Sequence, residues 1–267
     1  MQVHDIGELT GDVILFGGGY SNLQATLAML QRAGDLGISI GNRICTGDVV
    51  AYCARPNETL DALRGNVAAC VAGNVERQLA DDADDCGCGF ETGSACDLLS
   101  DGWYPYAKRR VTAAHKQWMA QLPDVVLFQN RGKRCAVIHG GVTDISRFLW
   151  PSTPDAQFQA EITALQVVVG KVDYVFAGHS GIAFVRNVAG VAWVNAGVIG
   201  MPPHDGRRDT RFALLMDNGV RFERLAYDAD GAAQDMCTAG LMQGYDTALL
   251  SGVWPSEDVL PIEMRRA

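Results

Sequence analysis

Residues 12–34 read DVILFGGGYSNLQATLAMLQRAG, and the order of patterns within them sets the architecture. Asp12 to Phe16 is a short apolar, β-branched run closed by three glycines, which predicts a buried strand. From Ser21 the period changes. Leu23, Leu27 and Leu30 recur at helical spacing through Ala33, and Gly34 is a stop signal. Further along, the same alternation returns. Arg43 to Thr46 (RICT) is a second short strand, closed by Gly47-Asp48. Pro56 opens a helix that runs to about Arg64. Val67 to Ala72 is a third strand, closed by Gly73-Asn74. Strand, helix, strand, helix, strand in that order predicts parallel strands joined by helical crossovers.

Residues 81–105 have no clean period and are rich in Asp, Gly and Cys, which marks an irregular excursion. Lys108 to Leu122 reads as a helix ended by Pro123. Val125 to Gln129, Arg134 to His139 and Tyr174 to Ala177 read as strands, with one long helix from Phe158 to Val169. Ile182–Val188 with Val191–Asn195, and Arg211–Met216 with Val220–Tyr227, read as hairpins; Asn218-Gly219 is a strong turn signal for the second. The second half is therefore expected to be mostly antiparallel. The tail from about residue 235 carries no clear period, with Trp254 and Pro261 as candidates to fold back. The expectation is one α/β domain over 1–267 with two stacked sheets.

The chain has 267 residues, 48% hydrophobic and 20% charged, which is globular composition. Its 22 basic and 31 acidic residues give a formal charge of −9, which argues against nucleic acid or an anionic membrane as partner. No apolar run reaches the roughly 20 residues a membrane helix needs. The opening MQVHDIGELTGD is polar and acidic, unlike a signal peptide. A cytoplasmic enzyme or binding protein is expected. Eight cysteines then read first as reduced thiols or metal ligands and second as disulfides.

Polar residues cluster where the predicted strands end, the usual ligand edge of an α/β sheet. These segments are Gly17–Asn22, Gly47-Asp48, Gly73-Asn74, His139-Gly140-Gly141 and Gly178-His179-Ser180-Gly181. Asp48, Asn74, His139 and His179 together would offer a carboxylate, an amide oxygen and two imidazoles, a mixed set suited to Zn, Mn or Fe(II). Singly, each has a plainer reading: Asp48 and Asn74 as turn residues, the histidines as hydrogen-bonded structural groups.

In this order the segments resemble the calcineurin-like metallophosphoesterases, in their compact bacterial phosphodiesterase branch. That family carries D-x-H-G-N-L-x-A, G-D, G-N-H-D/E, H-G and G-H-x-H. The matching stretches are Gly18 to Ala25, Gly47-Asp48, Gly73-Asn74-Val75-Glu76, His139-Gly140 and Gly178 to Gly181. GDVVAYCARPNETLDALR (Gly47 to Arg64) and VNAGVIGMP (Val194 to Pro202) resemble its flanking segments. The resemblance spans roughly Asp12 to Tyr227 and implies a two-sheet α/β/β/α sandwich of the metallophosphoesterase type. It also implies two metals. The first would be held at Gly18, Tyr20, Asp48 and Gly181, where only Asp48 is a matching ligand. The second would be held at Asp48, Asn74, His139 and His179, all four of which match. The histidine that would protonate the leaving group is Val75, which can neither donate nor accept a proton.

A one-metal site is therefore expected, its bound water at Asp48, His139 and His179 acting as the nucleophile on a small phosphate ester or related anion. Activity would be weak or altered, since one metal cannot clamp both the attacking and the leaving oxygen. Gly18, Gly19, Tyr20 and Ser21 would form an anion cradle of exposed N–H groups, or merely a tight turn. Cys86, Cys88 and Cys96 would be reduced thiols or a structural zinc site. Trp103, Tyr104 and Tyr106 read as core, with a lid or a homo-oligomer contact as alternatives. The competing functional reading is a non-catalytic ligand- or metal-binding sensor on the same fold, a pseudoenzyme.

Overall fold

A computed structural model describes residues 1–89 and 93–266, without the side chains of Cys96 and Asp97. Its first half runs β1 (Val3–Leu9), β2 (Val13–Phe16), α1 (Leu23–Asp35), β3 (Arg43–Cys45), α2 (Pro56–Leu63), β4 (Ala69–Cys70), α3 (Asn74–Ala80), α4 (Ala95–Arg110) and α5 (Ala113–Ala120). Its second half runs β5 (Val125–Asn130), β6 (Lys133–Val137), α6 (Asp155–Val169), β7 (Tyr174–Ala177), β8 (Phe184–Val188), β9 (Val191–Asn195), β10 (Thr210–Met216), β11 (Gly219–Leu225), α7 (Ala229–Ala239) and α8 (Tyr245–Ser251). One sheet has the order β1-β5-β6-β7-β9-β8 and the other β11-β10-β2-β3-β4.

Alternation along each strand explains the layers. In β2, Val13 and Leu15 point into the space between the sheets, where they join Ile44, Val126, Phe128, Val137 and Phe176. Ile14 and Phe16 point the other way, into a core shared with the helices α1, α2, α4, α7 and α8. On the far face of the six-stranded sheet, Val125, Val175 and Trp193 pack against Phe158, Ile162 and Leu165 of α6. The result is the expected α/β/β/α sandwich.

Several elements differ from the sequence reading, each for a physical reason. β1 pairs in parallel with β5 as an edge strand. Its residues are mostly exposed, so it lacks the buried alternate face that announces a strand. The second half is mixed rather than mostly antiparallel, because α6 is a crossover that sets β7 parallel to β6, and β9 follows parallel to β7. The helix expected at 108–122 is two helices. Thr112 interrupts it by accepting the His115 N–H as the N-cap of α5. The excursion at 81–105 is not irregular throughout, since α4 begins at Ala95. Asn74 opens a helix, α3, instead of ending in a turn. The tail forms α7 and α8 and then returns over the strand ends. Among the described residues, no helix is long and apolar enough to cross a membrane.

Candidate metal centre

Asp48 follows β3 in a left-handed conformation (φ 54°) that a non-glycine residue holds only under constraint. Glu76, in the first turn of α3, supplies the constraint. Its buried carboxylate accepts the N–H groups of Asp48 at 2.8 Å, Gly73 at 2.9 Å and Val50 at 3.2 Å. Gly73 has to be glycine here, since a Cβ would lie 2.2 Å from Asp48 Oδ1 and 2.6 Å from Asp48 N. Asn74 Nδ2 donates to the Cys86 carbonyl at 2.9 Å, which turns Oδ1 toward His139. His139 follows β6, and its Nδ1 lies 2.7 Å from the Thr46 carbonyl. Only an N–H can face a carbonyl, so Nδ1 carries the proton. His179 follows β7 with φ 59°. Asn195 secures that loop by donating to the Gly178 carbonyl at 2.6 Å.

Three ligand-type groups converge: Asp48, His139 and His179 each offer an atom within 4.8 Å of the others. His139 Nε2 lies 3.1 Å from Asn74 Oδ1, 3.1 Å from His179 Nδ1 and 3.2 Å from Asp48 Oδ2. In neutral His139 this nitrogen is a lone pair facing Asn74 Oδ1 and Asp48 Oδ2, so acceptor atoms meet around one point. A positive charge there, a proton or a metal cation, turns repulsion into attraction. All three residues are buried, and Asp48 Oδ1 and His179 Nε2 have no hydrogen-bond partner among the described residues. Their nitrogen and oxygen donors thus fit a divalent transition metal.

The electrostatics agree with a site short of positive charge. Burial alone would raise the Asp48 carboxyl, yet the two imidazoles hold it below the ordinary carboxylate range. Burial works against a charged His139, but Asp48 keeps it above the ordinary imidazole value. Burial, reinforced by His139, pushes His179 down to about 4. Burial and the Asp48 charge push Glu76 up to about 7.

The expected anion cradle is spent on the fold. Gly17 N–H donates to Gly197 O, Gly18 N–H to Gly47 O, Tyr20 N–H to Asp48 O and Ser21 N–H to Val49 O. Asn22 then caps α1 by accepting the Ala25 N–H at 3.0 Å. These donors hold β2 against the neighbouring loops, so three of the four cradle N–H groups, those of Gly18, Tyr20 and Ser21, are already paired within the fold. Nor is the first-metal position empty space. A Cβ on Gly18 would sit 2.5 Å from Val198 Cγ1 and 2.7 Å from Tyr20 Cζ. One on Gly181 would touch the Trp254 indole at 3.6 Å. Burial and the neighbouring Asp48 charge keep the Tyr20 phenol protonated.

Cys86 and Cys88 are joined in a disulfide, so they are neither the free thiols nor the zinc ligands expected, and the Cys96 side chain lies outside the described residues. Trp103, Tyr104 and Tyr106 are core residues. Asp144 accepts the Ser146 N–H, Arg147 pairs with Glu161 at 3.1 Å, and His204 lies behind Trp254. Above Asp48 and His179 opens a cleft walled by Tyr20, Tyr52, Phe148, Trp150, Tyr245 and Trp254. Sequence reasoning did not assign Glu76 or most of these aromatics to the site. Glu76 had a signal, an acidic residue three positions after a Gly N-cap; the aromatics, distant in sequence, had none.

A two-sheet sandwich with a buried carboxylate, amide and imidazole set at its strand ends is the architecture of a metallophosphoesterase. A family model described as the calcineurin-like phosphoesterase superfamily domain matches residues 22–218, and the chain belongs to that superfamily. Its function is accordingly phosphoesterase-like. The chain is 24% identical over 229 residues to the uncharacterized protein MJ0912 of Methanocaldococcus jannaschii, covering 78% of this chain and 85% of that one. The fold is similar to a metallophosphoesterase from Sphaerobacter thermophilus, with TM-score 0.69, 20% identity, and coverage of 92% of this chain and 100% of that one. It is also similar to the hypothetical protein PH1004 from Pyrococcus horikoshii OT3, with TM-score 0.75, 16% identity, and coverage of 91% and 99%.

Proposed function

We propose that this protein is a metal-dependent phosphoric ester hydrolase with one divalent transition metal, Zn, Mn or Fe, held by Asp48, Asn74, His139 and His179. The observation that carries this reading is an asymmetry. Donor atoms of these four residues gather around His139 Nε2, whereas Val198 and Tyr20 crowd the adjoining position at Gly18. A cation there polarises a phosphoryl oxygen and lowers the pKa of an adjacent water. The chain's own groups do the rest. The Thr46 carbonyl fixes the His139 tautomer, and Glu76 fixes the Asp48 backbone. The Phe148 ring lies against His179, with centroids 4.3 Å apart and a tilt of 37°. Val75 cannot protonate a leaving group, so only small phosphate esters with good leaving groups should turn over readily.

Two observations favour a second reading, a non-catalytic ligand-binding protein: Val75 and the crowded first position each remove a catalytic part. The deciding experiment is elemental analysis of the wild type beside a His139→Ala, His179→Ala double variant, with turnover of an aryl phosphodiester measured on both. About one metal per chain, lost together with turnover in the variant, supports the hydrolase. Metal without turnover supports the binding protein. No metal in either protein refutes the one-metal site.

A further inference from the structure

The returning tail does more than cover the strand ends. Trp254 is fixed from three sides: its indole N–H donates to the Pro202 carbonyl at 2.6 Å, its backbone N–H to His204 Nδ1 at 2.9 Å, and its ring lies 5.3 Å from that imidazole. Because His204 Nδ1 accepts, Nε2 carries the proton and donates to Glu257 at 2.8 Å, and Glu257 in turn pairs with Arg266. Phe148, which also lines the cleft, lies parallel to Trp150 at 1° with centroids 5.5 Å apart, and its ring is tilted by 37° to His179 at 4.3 Å. Trp254 and Phe148 are nevertheless only half-buried, and both face the cleft. Rigid, half-exposed aromatic faces beside a polar floor suit a planar ligand and lose little entropy on binding.

The charge of the cleft narrows that ligand further. Among the described residues lining it there is no lysine and no arginine, and Asp48 is the one carboxylate. With a divalent cation beside Asp48, and Glu76 behind it pushed up only to about 7, the floor carries at most one net positive charge, and a buried second negative charge would go uncompensated.

We propose that Trp254 and Phe148 form a specificity subsite for a planar aromatic group, borne by a phosphate ester with a single negative charge. The charge argument rests on the one-metal reading; the ring subsite rests on the aromatic walls alone. Titration calorimetry on the metal-loaded full chain at pH 8 tests both parts with three probes. These are methyl phenyl phosphate (ring, one charge), dimethyl phosphate (no ring, one charge) and phenyl phosphate (ring, two charges above its second pKa near 6). Methyl phenyl phosphate should bind about tenfold or more tightly than either of the others, the scale of one aromatic stack. Trp254→Leu, checked for folding by its melting curve, should cut the preference for the ringed diester over the ringless one below about threefold. Phe148→Leu should do the same. Equal binding of the two diesters, or no binding of methyl phenyl phosphate, overturns the subsite. Phenyl phosphate binding as well as methyl phenyl phosphate overturns the single-charge selection. Metal content measured on the same sample reports separately on the one-metal reading, so the two failures are distinct.

Discussion

Gly18→Ala is the sharpest test of how the first-metal position has been filled. Two costs follow from the geometry. Gly18 has φ 51°, a conformation that disfavours any side chain by about 1–2 kcal/mol. The new Cβ would also lie 2.5 Å from Val198 Cγ1 and 2.7 Å from both Val198 Cβ and Tyr20 Cζ. Overpacking of this kind costs about 1–3 kcal/mol. The sum is about 2–5 kcal/mol. At about 2.1 cal/mol/K per residue, a chain of 267 residues loses roughly 2 °C of melting temperature per kcal/mol, so the expected drop is about 4–10 °C. Gly65→Ala is the internal control, because Gly65 has φ 79° with nothing within 4 Å and carries the backbone cost alone. Calorimetric melting at fixed metal concentration would measure both. A Gly18→Ala melt within 1 °C of wild type, or no lower than Gly65→Ala, would refute the packing argument. The same clash bears on repair. On sequence grounds, Gly18→Asp, Tyr20→His, Val75→His and Gly181→His together should rebuild a two-metal site. With Val198 in place against the new Gly18 side chain, we expect that variant to hold one metal.

Other perturbations test other parts. Glu76→Gln leaves at least one of the three N–H groups at Asp48, Gly73 and Val50 poorly paired, and should cost about 2–3 kcal/mol together with metal affinity; an unchanged melt and metal content would count against its role. Stripping the metal with a chelator should lower stability by about 2.7 kcal/mol relative to protein held at a hundredfold excess over Kd, or roughly 5 °C; coincident melts would indicate that the site binds nothing. Val75→His places a proton-bearing ring beside the cleft and should raise turnover of an ester with a poor leaving group more than one with a good leaving group. An equal effect on both would show that proton supply is not limiting.

Much of this was legible in the sequence because it rests on local patterns. β2, β3 and β7 are short apolar runs with both faces buried, and Asp48, His139 and His179 directly follow strands. What escaped notice lacks such patterns. β1 is an exposed edge strand whose pairing with β5 depends on residues more than a hundred positions away. The glycines of Gly17–Gly19 look like an anion loop until their neighbours are in place, and then most of their N–H groups prove to be committed. Tyr52, Phe148, Tyr245 and Trp254 come from four separate segments, and only the returning tail brings them to one cleft. The Cys86–Cys88 pair was read through compartment rather than geometry, and the expectation of a reducing, disulfide-poor cytosol says nothing about two residues that the loop presses together.

The donors of the metal centre divide evenly between the layers. Asp48 and Asn74 follow strands of the five-stranded sheet, and His139 and His179 follow strands of the six-stranded sheet. A cation held by all four would therefore be a rivet through the sandwich. Neither sheet alone carries more than half of the site, so affinity can arise only at the step in which the sheets come together. Metal uptake during refolding would then report the moment at which donors from both sheets stand together.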